Sequence, residues 1–294
     1  MPAAFCMLHS VSVPSHCVFC EGLDVRKKDP KHHPSYEITA ACNLNCIFCY
    51  SRVAAEAGAA PKEGYYGDEN PKAITISQYG EPLLVGTRRL VSIIKELRKR
   101  FGDVRIDLQT NGTLLDEKSF LELEPLVDIV MVSIAAATLQ TYAKITDGGE
   151  KEFKAALKAL ELAGHSDDVL AVVRAVYCPG VNDDELPRLA TLAESLGVDE
   201  LMIQPCTVYT ANEERLRAVG FDFESSSRIF EILEVASTCK NAAPELRVGV
   251  SGCILAVFKQ LLDNGINLED LRFLRRDARA GTLPQMKRLR RFKL

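Results

Sequence analysis

The sequence predicts an α/β fold, a partial (β/α)6 TIM-like barrel with a short N-terminal extension and a helical C-terminal extension. Three observations point there. Apolar, β-branched runs recur at 36–40, 73–79, 104–109, 127–134, 169–177 and 200–204. Amphipathic stretches at 86–100, 150–163 and 183–196 lie between them. The runs are near-continuous rather than alternating, as strands are when both faces are buried in a parallel sheet of βαβ units.

The elements follow in order. Residues 1–34 form the N-terminal extension and carry the pair Cys17 and Cys20. Residues 35–239 form the barrel core. Its first run, beginning Tyr36-Glu37-Ile38-Thr39, leads into ACNLNCIFCYS, and the second into Gly80-Glu81-Pro82. The third runs into Thr110-Asn111-Gly112-Thr113, and the fourth reaches Ser133. The fifth contains Arg174 and is broken by Pro179-Gly180. Asn182 is placed to cap the next helix, with Glu185 three residues on in capping-box position. From 240 to 294 the extension holds a seventh strand pattern at 246–250, helical patterns at 253–263 and 268–279, and a basic tail.

Composition excludes several classes. With 294 residues and 47% hydrophobic content the chain can bury a large core, as one large domain or two ordinary ones. A net charge of -4 gives no global pull toward nucleic acid or membrane. No apolar run reaches the roughly eighteen residues of a transmembrane helix. The start, MPAAFCMLHSVSV, lacks a basic n-region followed by an apolar stretch, so a cytoplasmic location is expected. Ten cysteines in such a chain point to metal or redox chemistry rather than to disulfides.

Cys42, Cys46 and Cys49 stand at C-x3-C-x2-C, with the aromatic Phe48 directly before the last. This spacing lets one short loop set three thiolates around a cubane. A [4Fe–4S] cluster usually takes four cysteines, so a set of three leaves one iron open. Buried structural thiols and a zinc site are the plainer readings. Structural zinc, however, closes with four ligands, commonly in pairs.

The loop resembles the signature of the radical S-adenosylmethionine (radical SAM) superfamily, and the likeness extends over roughly residues 35–235. It implies a [4Fe–4S] cluster on Cys42, Cys46 and Cys49, with SAM on the fourth iron. It also implies a one-electron reductant of flavodoxin or ferredoxin type, and a reducing or anaerobic setting. Gly80 and Glu81 resemble the family's Gly-Glu motif, which receives the α-ammonium of SAM; by itself Gly-Glu-Pro is a turn. Thr110 and Asn111 resemble the TNGT turn of the MoaA-like and peptide-modifying branches, and Asn-Gly alone is also a turn signal. Ser133 matches a serine that reaches the SAM ribose or carboxylate. The acidic residue that often follows two positions later is here Ala135. Arg174 inside an apolar strand needs an anion: the SAM carboxylate, or a buried carboxylate such as Asp107 or Glu37.

Seven cysteines remain, at 6, 17, 20, 178, 206, 239 and 253. Cys17 and Cys20 with two of Cys178, Cys206 and Cys253, which stand at strand ends, would give a second centre of iron–sulfur or zinc. Ordinary core thiols, or a thiol donating hydrogen to a substrate radical, are the other readings; Cys239 is unassigned. In the tail, Arg272, Arg275, Arg276, Arg279, Lys287, Arg288, Arg290, Arg291 and Lys293 face one acid, Asp277. Such a block suits RNA, an acidic protein partner or plain solvation. Peptide or protein, RNA and small molecule all stand as substrates. A non-catalytic iron–sulfur carrier or scaffold is the main rival, predicting four ligands. A zinc-stabilised RNA-binding module is the third reading.

Overall fold

The computed structural model describes residues 11–267, 270–275 and 286–294. Cys6, Arg276, Asp277, Arg279 and half of the 268–279 helical pattern lie outside them. Strands β1 (Ser35–Glu37), β3 (Ala73–Ile76), β4 (Arg105–Thr110), β5 (Ile129–Ser133), β6 (Leu170–Tyr177), β7 (Glu200–Pro205) and β8 (Arg247–Val250) run parallel. The two remaining described strands, β2 (Gly64–Tyr66) and β9 (Arg290–Phe292), complete a sheet of order β8-β7-β6-β5-β4-β3-β1-β2-β9. Both added pairings are antiparallel.

Burial on both faces explains the apolar runs. Ile106, Leu108, Val130, Val132, Ala171 and Val173 point to the helices. Their neighbours Ile129, Met131, Val172 and Met202 point the other way and pack around Cys17. The helix Thr87–Phe101 shows the complementary period, burying Leu90, Ile93, Ile94 and Leu97. It stops at Gly102, whose φ of 69° closes the last turn on Arg98 O at 2.8 Å.

The N-terminal segment is not an appendage. It lies on the inner face of the sheet. The Ser15 amide and hydroxyl donate to the buried Glu200 carboxylate at 2.9–3.1 Å. His16 Nδ1 lies 2.7 Å from Asp107 Oδ2, and Arg105 donates to the Ser15 and His16 carbonyls at 3.0 Å. At the other end, β8 pairs with β7 in the same sheet. A boundary at 239/240 falls inside the helix Glu231–Ala242, where Cys239 is a fully buried core residue.

Two local expectations are corrected. Asn182 and Glu185 form no capping box. Asn182 instead ties the exit of β6 to that of β5, accepting from Cys178 N at 2.7 Å and donating to Ala135 O at 2.9 Å. Glu185 reaches the amides of Ala137 and Thr138 at 2.8 Å. Long-range donors offered those side chains better partners than the local cap. The described part of the basic tail, meanwhile, folds back as β9. Lys287, Arg288, Arg291 and Lys293 pair with Asp29, Asp68, Glu69 and Glu63 of this same chain. Phe292 stacks on Tyr65 at 5.1 Å.

Candidate active site at the carboxyl ends of the strands

The cysteine loop leaves β1 and is pinned from below by backbone. Asn45 N and Ile47 N donate to Thr146 O and Ile145 O at 2.8 and 2.9 Å. The thiols then meet N–H groups. Cys42 Sγ accepts from Leu44 N at 3.5 Å and from Asn111 Nδ2 at 3.6 Å, and Cys49 Sγ from Arg52 N at 3.4 Å. Burial pushes the Cys46 thiol up, and the nearby Cys49 and Cys42 push it further, so the three sulfurs feel one another's charge.

That donor set fits an iron–sulfur cluster, whose sulfurs are tuned by N–H donors of this kind. Among the described residues, no three His, Cys, Asp or Glu side chains stand close enough to hold a single metal ion.

The next two strand ends lock onto this loop. Gly80 adopts φ +67°, and a Cβ there would lie 2.2 Å from Thr39 O and 2.6 Å from Ala41 O. Its amide donates to Ser51 Oγ at 3.0 Å, and Glu81 N donates to Ala41 O at 2.9 Å. A Gly80→Ala substitution is expected to cost about 1–3 kcal/mol in backbone strain and to force the 39–41 segment away. Denaturant unfolding of the apoprotein and SAM titration of the reconstituted protein would both register the change. Unaltered stability and affinity would show that the close approach does not matter.

Glu81 is 1% exposed. Its carboxylate accepts from Thr110 Oγ1 at 2.8 Å, Asn111 N at 2.7 Å and Leu83 N at 3.1 Å. Burial pushes its pKa up to about 7 against the pull of those donors. Asn111 carries the chain of contacts onward. Besides Cys42, its Nδ2 donates to Asn43 Oδ1 at 2.9 Å, and its Oδ1 accepts from Thr113 Oγ1 at 2.6 Å. Asn43 Nδ2 closes the ring onto Thr113 Oγ1 at 2.7 Å. The Gly-Glu turn, the Thr-Asn-Gly turn and the cysteine loop are therefore one hydrogen-bonded unit.

Ser133 ends β5 half-buried, in register with Arg174 on β6. Arg174 Nη2 donates to Gln204 Oε1 at 3.1 Å. Neither carboxylate considered for it is its partner. Asp107 takes His16 and Arg105, and Glu37 accepts from Gln78 N, Tyr79 N and Ser77 Oγ. Burial pushes the guanidinium pKa down, offset by Tyr50, Cys17 and Cys49.

The five other candidate cysteines separate into two groups. Cys178 and Cys206 adjoin each other, where Cys206 N donates to Tyr177 O at 3.0 Å, and both are buried. Cys17, Cys20 and Cys253 gather elsewhere, around Gly22 and Gly252. Sequence reasoning missed Asn43 and Ser51, the brackets of the loop. Each is a small polar residue within two positions of a cysteine, and no periodic signal marks it.

The model of the radical SAM superfamily matches residues 36–193. An uncharacterized protein of Methanocaldococcus jannaschii, MJ0804, is 38% identical over 250 residues, 84% of this chain and 82% of that protein. A probable GTP 3′,8-cyclase of Aeropyrum pernix is 30% identical over 182 residues. The match takes in 57% of this chain and 49% of the cyclase, so the chain spans about half the length of that relative. Among solved structures, Streptococcus suis SuiB bound to S-adenosylmethionine superposes with a TM-score of 0.54 at 14% identity, covering 80% of this chain and 53% of that one. That likeness concerns the fold.

Proposed function

Because the chain belongs to the radical SAM superfamily and is a radical SAM enzyme, we propose that Cys42, Cys46 and Cys49 hold its [4Fe–4S] cluster with one iron left for SAM. When bound, the cluster supplies the electron that splits the sulfonium C–S bond of SAM, and the resulting 5′-deoxyadenosyl radical takes hydrogen from a substrate C–H bond. The protein's part is to hold and to orient. Gly80 offers its backbone to the SAM ammonium, and Glu81 fixes that turn from behind. Thr110 and Asn111 brace the cluster loop, Asn111 by an N–H on the Cys42 sulfur. Ser133 faces the ribose or carboxylate. Arg174 serves the carboxylate, because its five N–H donors exceed what the Gln204 amide oxygen can accept.

The observation that carries this reading is the Glu81–Asn111–Cys42 connection. An electron carrier or scaffold needs a fourth thiolate and has no use for a turn wired to one sulfur. The electron would come from a flavodoxin- or ferredoxin-like donor. Peptide or protein, RNA and small-molecule substrates are all consistent with the site. With four tail cations paired to this chain's own acids, the tail adds little weight to RNA.

The test is low-temperature EPR of anaerobically reconstituted, dithionite-reduced protein, with and without SAM. A cluster signal that changes shape on adding SAM is expected. A signal indifferent to SAM would mean a closed cluster and the carrier reading.

A further inference from the structure

Cys17, Cys20 and Cys253 come from opposite ends of the chain and from neither strand-end turn described above. Cys17 sits on the inner face of the sheet among Ile129, Met131, Val172 and Met202. Its Sγ accepts from Gly252 N at 3.4 Å, across 235 residues of sequence. Cys20 Sγ accepts from Gly22 N at 3.4 Å. Gly22 is the hinge of the group: a Cβ there would stand 3.1 Å from Cys253 Cβ and 3.5 Å from Cys20 Sγ. A Cβ on Gly252 would stand 3.0 Å from Cys17 Cβ and 2.6 Å from Leu23. Two glycines at the points of closest approach thus let three cysteines converge, and two of the sulfurs already receive backbone N–H groups.

The segment that brings Cys17 and Cys20 here is anchored rather than loosely packed. Glu200 from β7 and Asp107 and Arg105 from β4 hold Ser15 and His16 and fix the cysteine pair in place. Charged neighbours of both signs surround the group: Glu21 and Arg288 act on Cys20, Glu200 on Cys17, and Cys17 and Cys49 on Arg174.

We propose that Cys17, Cys20 and Cys253 bind a second iron–sulfur cluster, apart from the first. The C-x2-C pair would supply two of its thiolates and Cys253 a third. Cys178 and Cys206, which adjoin each other, take no part. This assignment stands apart from the SAM site and can fail without it.

The experiment counts iron and acid-labile sulfide after anaerobic reconstitution with ferrous iron and sulfide. Wild type is expected to hold about eight irons per chain and Cys253→Ala about four, with the SAM-responsive EPR signal retained in both. A Cys42→Ala/Cys46→Ala/Cys49→Ala chain should keep about four irons and its brown charge-transfer absorbance, and adding Cys253→Ala should remove both. Cys239→Ala, at a core thiol outside either set, controls for general disturbance and should keep the wild-type count. Wild type with about four irons and a SAM-responsive signal would overturn the second cluster and leave the first. So would zinc, or a Cys17–Cys20 disulfide, in the triple variant.

Discussion

Cys46→Ala is expected to abolish SAM cleavage, with 5′-deoxyadenosine formation falling by more than about a thousandfold, or about 4 kcal/mol of barrier. The chain should still fold. The cysteine loop is positioned by its backbone, through Asn45 N to Thr146 O, Ile47 N to Ile145 O and Cys49 N to Cys46 O, and alanine retains all three bonds. What disappears is one of three thiolates, and a cubane held by two cysteines loses an iron corner. Chromatographic quantitation of 5′-deoxyadenosine, beside a circular-dichroism melt, separates these effects. An intact melt with lost cleavage is the expected pair. Cleavage that persists near the wild-type rate would remove Cys46 from the cluster and with it the proposed site.

How much of this could be read from the residues depends on what fixed each element. The seven parallel strands were legible because both faces of the sheet are buried, so Val130 toward the helices and Met131 toward Cys17 are equally apolar. Helices with one buried stripe, such as Thr87–Phe101, were legible by their period. β2 and β9 were not. Each is three residues long, and Arg290–Phe292 becomes a strand only because Tyr65 and Tyr66 offer it an edge. The cysteine triad was visible in its spacing, and the turns after β3 and β4 in their place after apolar runs. The wiring between them was hidden, because Asn111 meets Cys42 across 69 residues. The division of the remaining cysteines was equally hidden. Only the fold decides that Cys253 joins Cys17 while Cys206 joins Cys178.

Asp107 shows the same limit and carries the second large effect. The sequence offered it as a partner for Arg174, whereas its carboxylate, 0% exposed, takes His16 Nδ1 at 2.7 Å and Arg105 Nε and Nη2 at 2.7 and 2.8 Å. Asp107→Ala would leave the Arg105 guanidinium with no counter-charge and remove the partner of His16 Nδ1 on the inner face of the sheet. Removing one member of a buried charged set costs about 3–5 kcal/mol, which lowers the melting temperature of a chain this size by roughly 10 °C. The pH dependence has a definite sign. Burial raises the Asp107 pKa, but His16 and Arg105 outweigh it and hold the carboxyl below its usual 3.8. A depressed acid stabilises the fold above its ordinary pKa and loses that contribution as pH falls through the folded value. The gap between wild type and Asp107→Ala should therefore be full at neutral pH and should shrink only below pH 3.8. Thermal melts across that range test it, and a gap independent of pH would mean that shape rather than charge holds the site. The consequence reaches the second cluster. Arg105 and Asp107 are what keep His16, and hence the neighbouring Cys17, against the sheet. Asp107→Ala should accordingly lower the iron count toward that of Cys253→Ala, while the cluster on Cys42, Cys46 and Cys49 still answers to SAM.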